Sequence, residues 1–288
     1  MNDPLSSTQK SFDVAITDLV EGVKLPPQPK VIMAINREIQ KDDPSFARIS
    51  ELISHDAALS AKVLKVVNSP YFSGGRNITS INTALSRLGL NNFFCVVLSS
   101  CLKDAMGVDE VTERLWDHTL LVAKLCEEIA RKCRDVSLEQ AYIAGLFHDA
   151  SIPLLMQKHK SFIEVLEMTV ARGGEIDLFE EQNFSTNHAL ISYLLARSWG
   201  LPEAVVNAIR FHHTFDLEAF TDEGSKTLGA ILMLADHFSR VVAEENRETH
   251  YSDRAWDRVS PQVLAVLGLY EDDMADLQDV ATEYAGRC

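Results

Sequence analysis

The chain has 288 residues, of which 46% are hydrophobic and 24% charged, a balance typical of globular proteins. Its formal net charge of −15 argues against broad binding to nucleic acid, which needs a basic surface. No run of about 18 apolar residues predicts a membrane span, and the N-terminus lacks the basic start and apolar run of a signal peptide. The five cysteines form no CxxC pair, which predicts reduced thiols in a cytoplasmic protein.

Helical periodicity recurs along the N-terminal part, whereas the period-2 alternation of strands is missing. The sequence LPPQP at residues 25–29 predicts an extended turn, and Gly89 predicts the end of a helix. The segment 91–106 is apolar nearly all round, which predicts a central, buried helix. The other helices of this part are predicted near residues 6–20, 30–40, 45–54, 57–67 and 81–87.

The C-terminal part is also predicted to be helical throughout. Residues 107–110 form the candidate boundary, which divides the chain into subdomains 1–107 and 108–288. We therefore predict an all-α fold of two packed helical subdomains. The helices beyond the boundary are predicted near residues 111–132, 138–147, 150–171, 175–182, 187–198, 202–213, 224–245, 260–267 and 271–284.

Seven residues of metal-binding type lie on the predicted apolar faces of these C-terminal helices. Residues three and four apart share a helix face, so all seven side chains are expected to point inward. A buried His or Asp must be paired or must bind a metal. The seven are His118, His148, Asp149, His188, His212, His213 and Asp236.

Imidazole nitrogens and carboxylate oxygens suit divalent transition metals, and seven ligands exceed the need of one tetrahedral ion. We therefore expect one or two ions of Fe, Mn, Zn, Ni or Co, with one carboxylate bridging a pair. A lone inward-facing histidine is more often a satisfied core residue, but five of the nine histidines belong to this set. The acidic pair Glu180 and Glu181 is expected on a solvated face.

Several stretches resemble the HDOD family, the HD-related output domains within the HD superfamily of metal-dependent phosphohydrolases. The resemblance implies an all-α fold with an HD-like C-terminal subdomain, and a role in bacterial signal output. The stretches are LPPQPKVIMAI at residues 25–35, ISELISHDAALSAKVLKVVNSPYF at 49–72, ITSINTALSRLGL at 78–90, LWDHTLLVA at 115–123, AYIAGLFHDASIPLL at 141–155 and HALISYLLARSWGLPEAVVNAIRFHH at 188–213.

The resemblance assigns roles residue by residue. His118, the dyad His148 and Asp149, and Asp236 resemble the metal ligands shared by the superfamily. His188 and the pair His212 and His213 resemble the added histidines that give the related HD-GYP phosphodiesterases a second metal.

Two departures concern substrate binding. The HD-GYP enzymes have a phosphate-contacting lysine three residues after the Asp of the dyad, where this chain has Ile152. A neutral branched side chain offers a phosphate no positive charge. The Gly-Tyr-Pro segment is absent as well, because HHTFDLEAF occupies residues 212–220.

Two functions therefore stay open. Ile152 favours a signalling protein that acts through protein contacts, with a structural or regulatory metal site. Retention of all seven ligands favours a metal-dependent phosphohydrolase or phosphodiesterase acting on a nucleotide or phosphate ester, with Asp149 as the residue on which catalysis would depend. Expected partners are signalling proteins, with a small phosphorylated ligand as a candidate, and neither membrane nor nucleic acid.

Overall fold

The computed structural model describes residues 23–69, 77–107, 110–171, 176–245 and 254–286. Within these ranges the regular elements are helices and no strand occurs, which confirms the predicted all-α class. The helix predicted at 6–20 lies outside the described residues.

The first three helices begin close to their predicted positions. They are α1 (Lys30–Ile39), α2 (Phe46–Ser54) and α3 (Ala57–Val67). The side chain of Ser45 accepts a hydrogen bond from the backbone N–H of Arg48, and Asp56 accepts one from Leu59. These bonds satisfy donors that the first turn of a helix leaves unpaired.

Helix α4 (Ile81–Met106) is the central helix of the N-terminal part. Gly89 has φ 74° and ψ 172°, so it kinks the helix at the predicted stop. Residues 93–102, after the kink, are all buried, as the apolar sequence of this stretch predicts. By length and composition α4 is the one described helix that could cross a membrane, but 61% of its most apolar window is buried among the other helices.

The C-terminal part carries the predicted ligands on five of its helices or at their ends. The 3₁₀ turn Leu217–Ala219 lies between α11 and α12. The helices are α5 (Glu110–Lys132), α6 (Leu138–Phe147), α7 (Ile152–Lys158), α8 (Phe162–Ala171), α9 (Ile176–Phe184), α10 (His188–Ser198), α11 (Glu203–Arg210), α12 (Glu223–Glu245), α13 (Arg254–Leu267) and α14 (Glu271–Ala285).

Three predicted helices in this part have clearly different bounds. The helix predicted near 260–267 begins six residues earlier, at Arg254. The helix predicted at 150–171 is divided into α7 and α8, because His159 adopts extended backbone angles. The division lets Leu155 and Phe162 enter the same apolar cluster. The helix predicted at 202–213 ends at Arg210, so the histidine pair that follows lies in a turn.

One apolar core joins the two predicted subdomains, since it extends from Ile32 to Ala281. The hydroxyls of Ser99 and Tyr142 also lie 3.1 Å apart across the contact of α4 with α6. The division at residue 107 therefore remains a proposal about folding units.

Helices α5 and α6 approach each other most closely at Gly145. A Cβ atom on Gly145 would lie 2.6 Å from the Cα atom of Ala123. Only glycine allows this backbone contact, which sets the position of the α6 end that carries His148 and Asp149.

We predict that Gly145→Ala lowers the free energy of unfolding by about 1–3 kcal/mol, because the added methyl group must push α6 away from α5. Denaturant unfolding measures the change. Gly286→Ala is the matched control, since a Cβ there meets the carbonyl oxygens of Thr282 and Glu283 at the ordinary contact distances of 3.5 and 3.7 Å. Equal stability of the two variants would contradict the close packing of α5 and α6.

Candidate metal centre

The fold brings all seven predicted ligands to one place. They form two groups of three whose ligand atoms lie within 4.8 Å of one another, and Asp149 lies between the groups. The first trio is His118, His148 and Asp236, and the second trio is His188, His212 and His213.

The carboxylate of Asp149 is shared by both trios. Its Oδ2 atom lies 3.6 Å from Nε2 of His118 and 3.2 Å from Nε2 of His148. Its Oδ1 atom lies 3.3 Å from Nε2 of His188 and 3.8 Å from Nε2 of His212. One oxygen therefore faces each trio, which is the arrangement of a bridging carboxylate.

The ends of two helices fix the orientation of two imidazoles. Nδ1 of His148 lies 2.7 Å from the carbonyl oxygen of Gly145, and Nδ1 of His212 lies 2.7 Å from that of Ile209. A nitrogen that faces a carbonyl oxygen at this distance must carry the proton. When the ring is neutral, Nε2 then keeps a lone pair directed at Asp149, as metal binding requires.

These two Nε2 atoms give the strongest structural indication of a metal site. Both are buried, and neither has a hydrogen-bond partner among the residues that the structure describes. Buried polar atoms are normally paired, so each unpaired one needs an explanation. A cation placed between these atoms and Asp149 would satisfy both, so the residues present fit a divalent metal.

Burial and charge push the pKa values of these groups apart. The pKa of His212 falls to about 3, because burial disfavours its charged form and the charges of His148 and His188 add to this effect. Burial also opposes charge on His188, but Glu180 and Asp149 outweigh it and raise its pKa to about 10. Burial would raise the pKa of Asp149, yet the imidazoles around it, His148 first, hold that pKa well below its usual range. Protons on histidines thus supply positive charge that a metal ion would otherwise bring.

Glu180 is a candidate site residue that the sequence did not reveal. It was expected on a solvated face, but it is 1% exposed, so that expectation was wrong for Glu180. Its carboxylate lies 2.8 Å from Nδ1 of His188 and accepts a hydrogen bond of 2.7 Å from the backbone N–H of the same residue. Carboxylates in this position orient a histidine ligand and raise its basicity. Glu180 lies eight residues before His188 and on a different helix, so no helical spacing indicates their contact.

Two further side chains hold ligands of the first trio. Nδ1 of His118 lies 2.9 Å from the hydroxyl of Ser239. The guanidinium of Arg240 pairs with Asp236 at 2.5 Å and holds the pKa of that buried carboxyl below its usual value, against the effect of burial. Residues 236, 239 and 240 share one face of α12, so their spacing could have indicated the contacts.

Solvent reaches the centre at one member of each trio. The side chains of His188 and His212 are 2% and 1% exposed, whereas those of His118 and Asp149 are 26% and 15% exposed. His118 in the first trio and His213 in the second are half-buried, so neither trio is fully closed. An open side is typical of metal sites that accept an exogenous ligand.

The position of the absent lysine belongs to the core. Ile152 is 1% exposed and packs with Leu155, Phe162 and Ile191 in an apolar cluster. The segment after the histidine pair is also structural, since Phe220 is buried against the apolar core.

Two relatives locate the chain among curated proteins. It is 28% identical over 215 residues to an uncharacterized protein of Treponema pallidum, with 74% of this chain and 42% of the relative covered. It is 24% identical over 151 residues to the cyclic di-GMP phosphodiesterase CdgJ of Vibrio cholerae, with 49% of this chain and 34% of the relative covered. The chain thus spans less than half the length of these relatives.

Comparison with solved structures supports the fold. A candidate phosphohydrolase from Shewanella amazonensis has a TM-score of 0.71 to this chain at 25% identity, with 93% of this chain and 94% of that one covered. The HDOD domain family matches residues 25–215. Since this range is well over half of the sequence, the chain belongs to the HDOD family.

Proposed function

We propose that this HDOD protein is a signalling or regulatory protein whose metal centre is used for structure or ligand response and not for turnover. It would act through contacts with other signalling proteins. The single observation that carries the proposal is the pair of buried, unpartnered Nε2 atoms of His148 and His212 on either side of Asp149. They support a metal centre, while the buried Ile152 argues against phosphate hydrolysis there.

Each trio would hold one of the two ions. His118, His148 and Asp236 would hold one ion, the second trio would hold another, and Asp149 would bridge them. Fe, Mn, Zn, Ni and Co all accept such ligands. Bound in pairs, such ions supply a Lewis acid and lower the pKa of a bound water.

The chain's own residues position this centre. Glu180 holds His188, Arg240 holds Asp236, and the carbonyl oxygen of Gly145 holds His148. Helix α10 is tied to Ser151, two residues after Asp149, because the Ser151 hydroxyl donates to the carbonyl oxygen of His188. These bonds keep the imidazoles in place, which favours a rigid and preorganised centre.

A metal-dependent phosphohydrolase or phosphodiesterase is the second candidate. The observation that favours it is the convergence of all seven ligands with one exposed side. The name of CdgJ points the same way, but the match covers 34% of that protein, so its activity need not lie in the shared part. Phosphoryl transfer depends on positioning and charge neutralisation of the phosphate, and Ile152 contributes neither.

The first test uses Asp149→Ala. Removing the bridging carboxylate is predicted to abolish metal binding and lower the melting temperature by about 5–10 °C in metal-supplemented buffer. The difference should shrink in chelated buffer, where the wild type has also lost its ions. Scanning calorimetry and elemental analysis measure both effects. The same loss of stability in both buffers would favour a packing role for Asp149 and contradict the proposed metal centre.

A second test separates the two trios. Glu180→Gln is predicted to weaken metal binding at the His188 trio by about 10- to 100-fold, because glutamine cannot supply the charge that orients His188. Metal titration followed by elemental analysis should then show the loss of one ion before the other. Glu181→Gln is the control, because Glu181 is exposed and contacts Asn187 instead. Identical titrations of both variants would exclude the positioning role.

The third test concerns catalysis. We expect no hydrolysis of cyclic di-GMP above that of the Asp149→Ala control with Mn, Fe, Co, Ni or Zn, since no lysine stands at position 152. Chromatographic detection of the linear dinucleotide measures turnover. Metal-dependent hydrolysis that disappears in Asp149→Ala would instead establish the phosphodiesterase.

A further inference from the structure

Charge is distributed unevenly along this acidic chain. Residues 23–107 contain ten Lys or Arg and six Asp or Glu, a net charge of +4, whereas residues 108–288 contain 16 and 32, a net charge of −16. Two copies of the chain can therefore attract each other when the basic part of one faces the acidic part of the other.

The solvent-facing side of α1 carries part of the positive charge. Lys30, Met33 and Arg37 are exposed there, and their spacing of three and four residues places them on one side of the helix. We call these three residues the basic face. The other side of α1, with Ile32 and Ile35, is buried in the apolar core. Neither Lys30 nor Arg37 has an ion-pair partner among the described residues.

The solvent-facing side of α14 has the opposite charge. Asp272, Ala275 and Asp279 are exposed, again at a spacing of three and four residues, and we call them the acidic face. Leu277 and Ala281, on the other side of α14, are buried. No ion-pair partner of Asp272 or Asp279 occurs in the part of the chain that the structure describes. Because both faces are exposed, neither covers the other within one chain.

Large apolar side chains are exposed at or beside both faces. Met33 is 39% exposed within the basic face, and Tyr270 is 77% exposed just before α14. Phe46 is also exposed, and it follows Ser45, whose backbone N–H donates to Glu38 of α1 at 3.2 Å. Met, aromatic residues and Arg are enriched at protein interfaces, so these side chains favour a protein as the partner.

The two faces match in length as well as in charge. Lys30 and Arg37 are seven residues apart, as are Asp272 and Asp279, and seven residues span about 10 Å along a helix. Two such helices lying side by side can form both ion pairs at once, whichever way they run relative to each other. Met33 would then lie against Ala275, whose small side chain leaves room for it.

We infer that the basic face of one copy binds the acidic face of a second copy, with each basic side chain against an acidic one and Met33 against Ala275. The contact is head-to-tail, so every copy can bind one neighbour through α1 and another through α14. The inference rests on the proposed function, in which this protein acts through protein contacts, and it names a second copy as one partner. The metal ligands take no part in the contact.

A nucleic acid or an anionic membrane fits the basic face less well. Only two unpaired basic side chains lie on this face of α1, and a large polyanion would also meet the net charge of −16 on residues 108–288. An acidic helix needs only a small area, and α14 supplies one in every copy.

The contact is expected to be weak. Exposed ion pairs contribute little individually, so we expect a dissociation constant of about 0.1–1 mM. Sedimentation equilibrium at high protein concentration measures such association. An ionic strength of about 0.15 M screens the repulsion between distant negative charges of the two copies, while contacts within a few ångströms persist.

The test reverses the charge of one face at a time. Lys30→Glu with Arg37→Glu reverses the basic face, and Asp272→Lys with Asp279→Lys reverses the acidic face. Each double variant alone should associate at least roughly 10-fold more weakly than the wild type, because like charges then meet. An equimolar mixture of the two should associate as the wild type does, since each reversed face meets its complement in the other variant.

Matched controls change the net charge equally at other exposed positions. Lys65→Glu with Arg87→Glu controls for the first double variant, and Glu164→Lys with Glu167→Lys controls for the second. Both controls should associate as the wild type does. Weaker association of the controls as well would attribute the effect to net charge and overturn the inference.

Three other results would also overturn it. A wild type that stays monomeric up to about 1 mM lacks the contact. Equal association of all variants would place the contact on another surface, and a mixture without recovery would exclude pairing of the two faces. A monomeric wild type that binds duplex DNA or phosphatidylserine vesicles through Lys30 and Arg37 would assign the basic face to that ligand instead.

A second measurement does not depend on charge reversal. Met33→Cys and Ala275→Cys, each combined with Cys288→Ser, are mixed and oxidised, and they should form the mixed disulfide dimer in preference to either homodimer. Formation of all three dimers in random proportion would contradict the contact. Metal content is determined on the same samples. Association without metal contradicts the metal centre alone, whereas a monomeric protein that holds metal contradicts the self-association alone.

Discussion

The carboxylate of Asp149 is the group on which the arrangement of the whole centre depends. Its two oxygens lie between 3.2 and 3.8 Å from the Nε2 atoms of four histidines. These histidines come from or follow four different helices, so the carboxylate joins elements that are distant in sequence. A buried carboxylate among so many imidazoles is stable only if positive charge reaches it, from protons or from metal.

Two of these histidines lie just after the ends of helices, and contacts with the helix ends fix the orientation of their rings. His148 and His212 both follow a helix and bond the carbonyl oxygen three residues earlier, which fixes the proton on Nδ1. The close contact of Gly145 with Ala123 sets the position of one of these ends. Gly145 therefore has two roles. Its missing side chain allows α6 to pack closely against α5, and its carbonyl oxygen orients the His148 ring.

Much of the fold could be predicted from sequence because its signals are local. Asp56 and Ser80 cap helices that begin close to their predicted positions, and Gly89 breaks α4 by adopting a positive φ. The break at His159 could not be predicted, because it is imposed by the burial of Leu155 and Phe162 in a shared cluster. Tertiary packing overrides local periodicity there.

The same distinction holds at the centre. The seven predicted ligands converge because each is an inward-facing polar residue, which is visible in the helical pattern. Glu180 was assigned to the surface, because an acidic pair in a short helix resembles a solvated face. Its burial is explained only by His188, which it contacts across the turn between α9 and α10. Groups that support a ligand depend on tertiary contacts and are therefore the hardest to read from sequence.

A metal ion beside Asp149 is the feature on which the proposed function depends most. Diffraction at a metal absorption edge, from protein purified without chelator or affinity tag, tests this directly. It should show an anomalous peak about 2.0–2.2 Å from Nε2 of His148 or His212, as expected for a histidine ligand. Ordered water on both nitrogens, with no anomalous peak after incubation with Mn²⁺, Fe²⁺ or Zn²⁺, would contradict it.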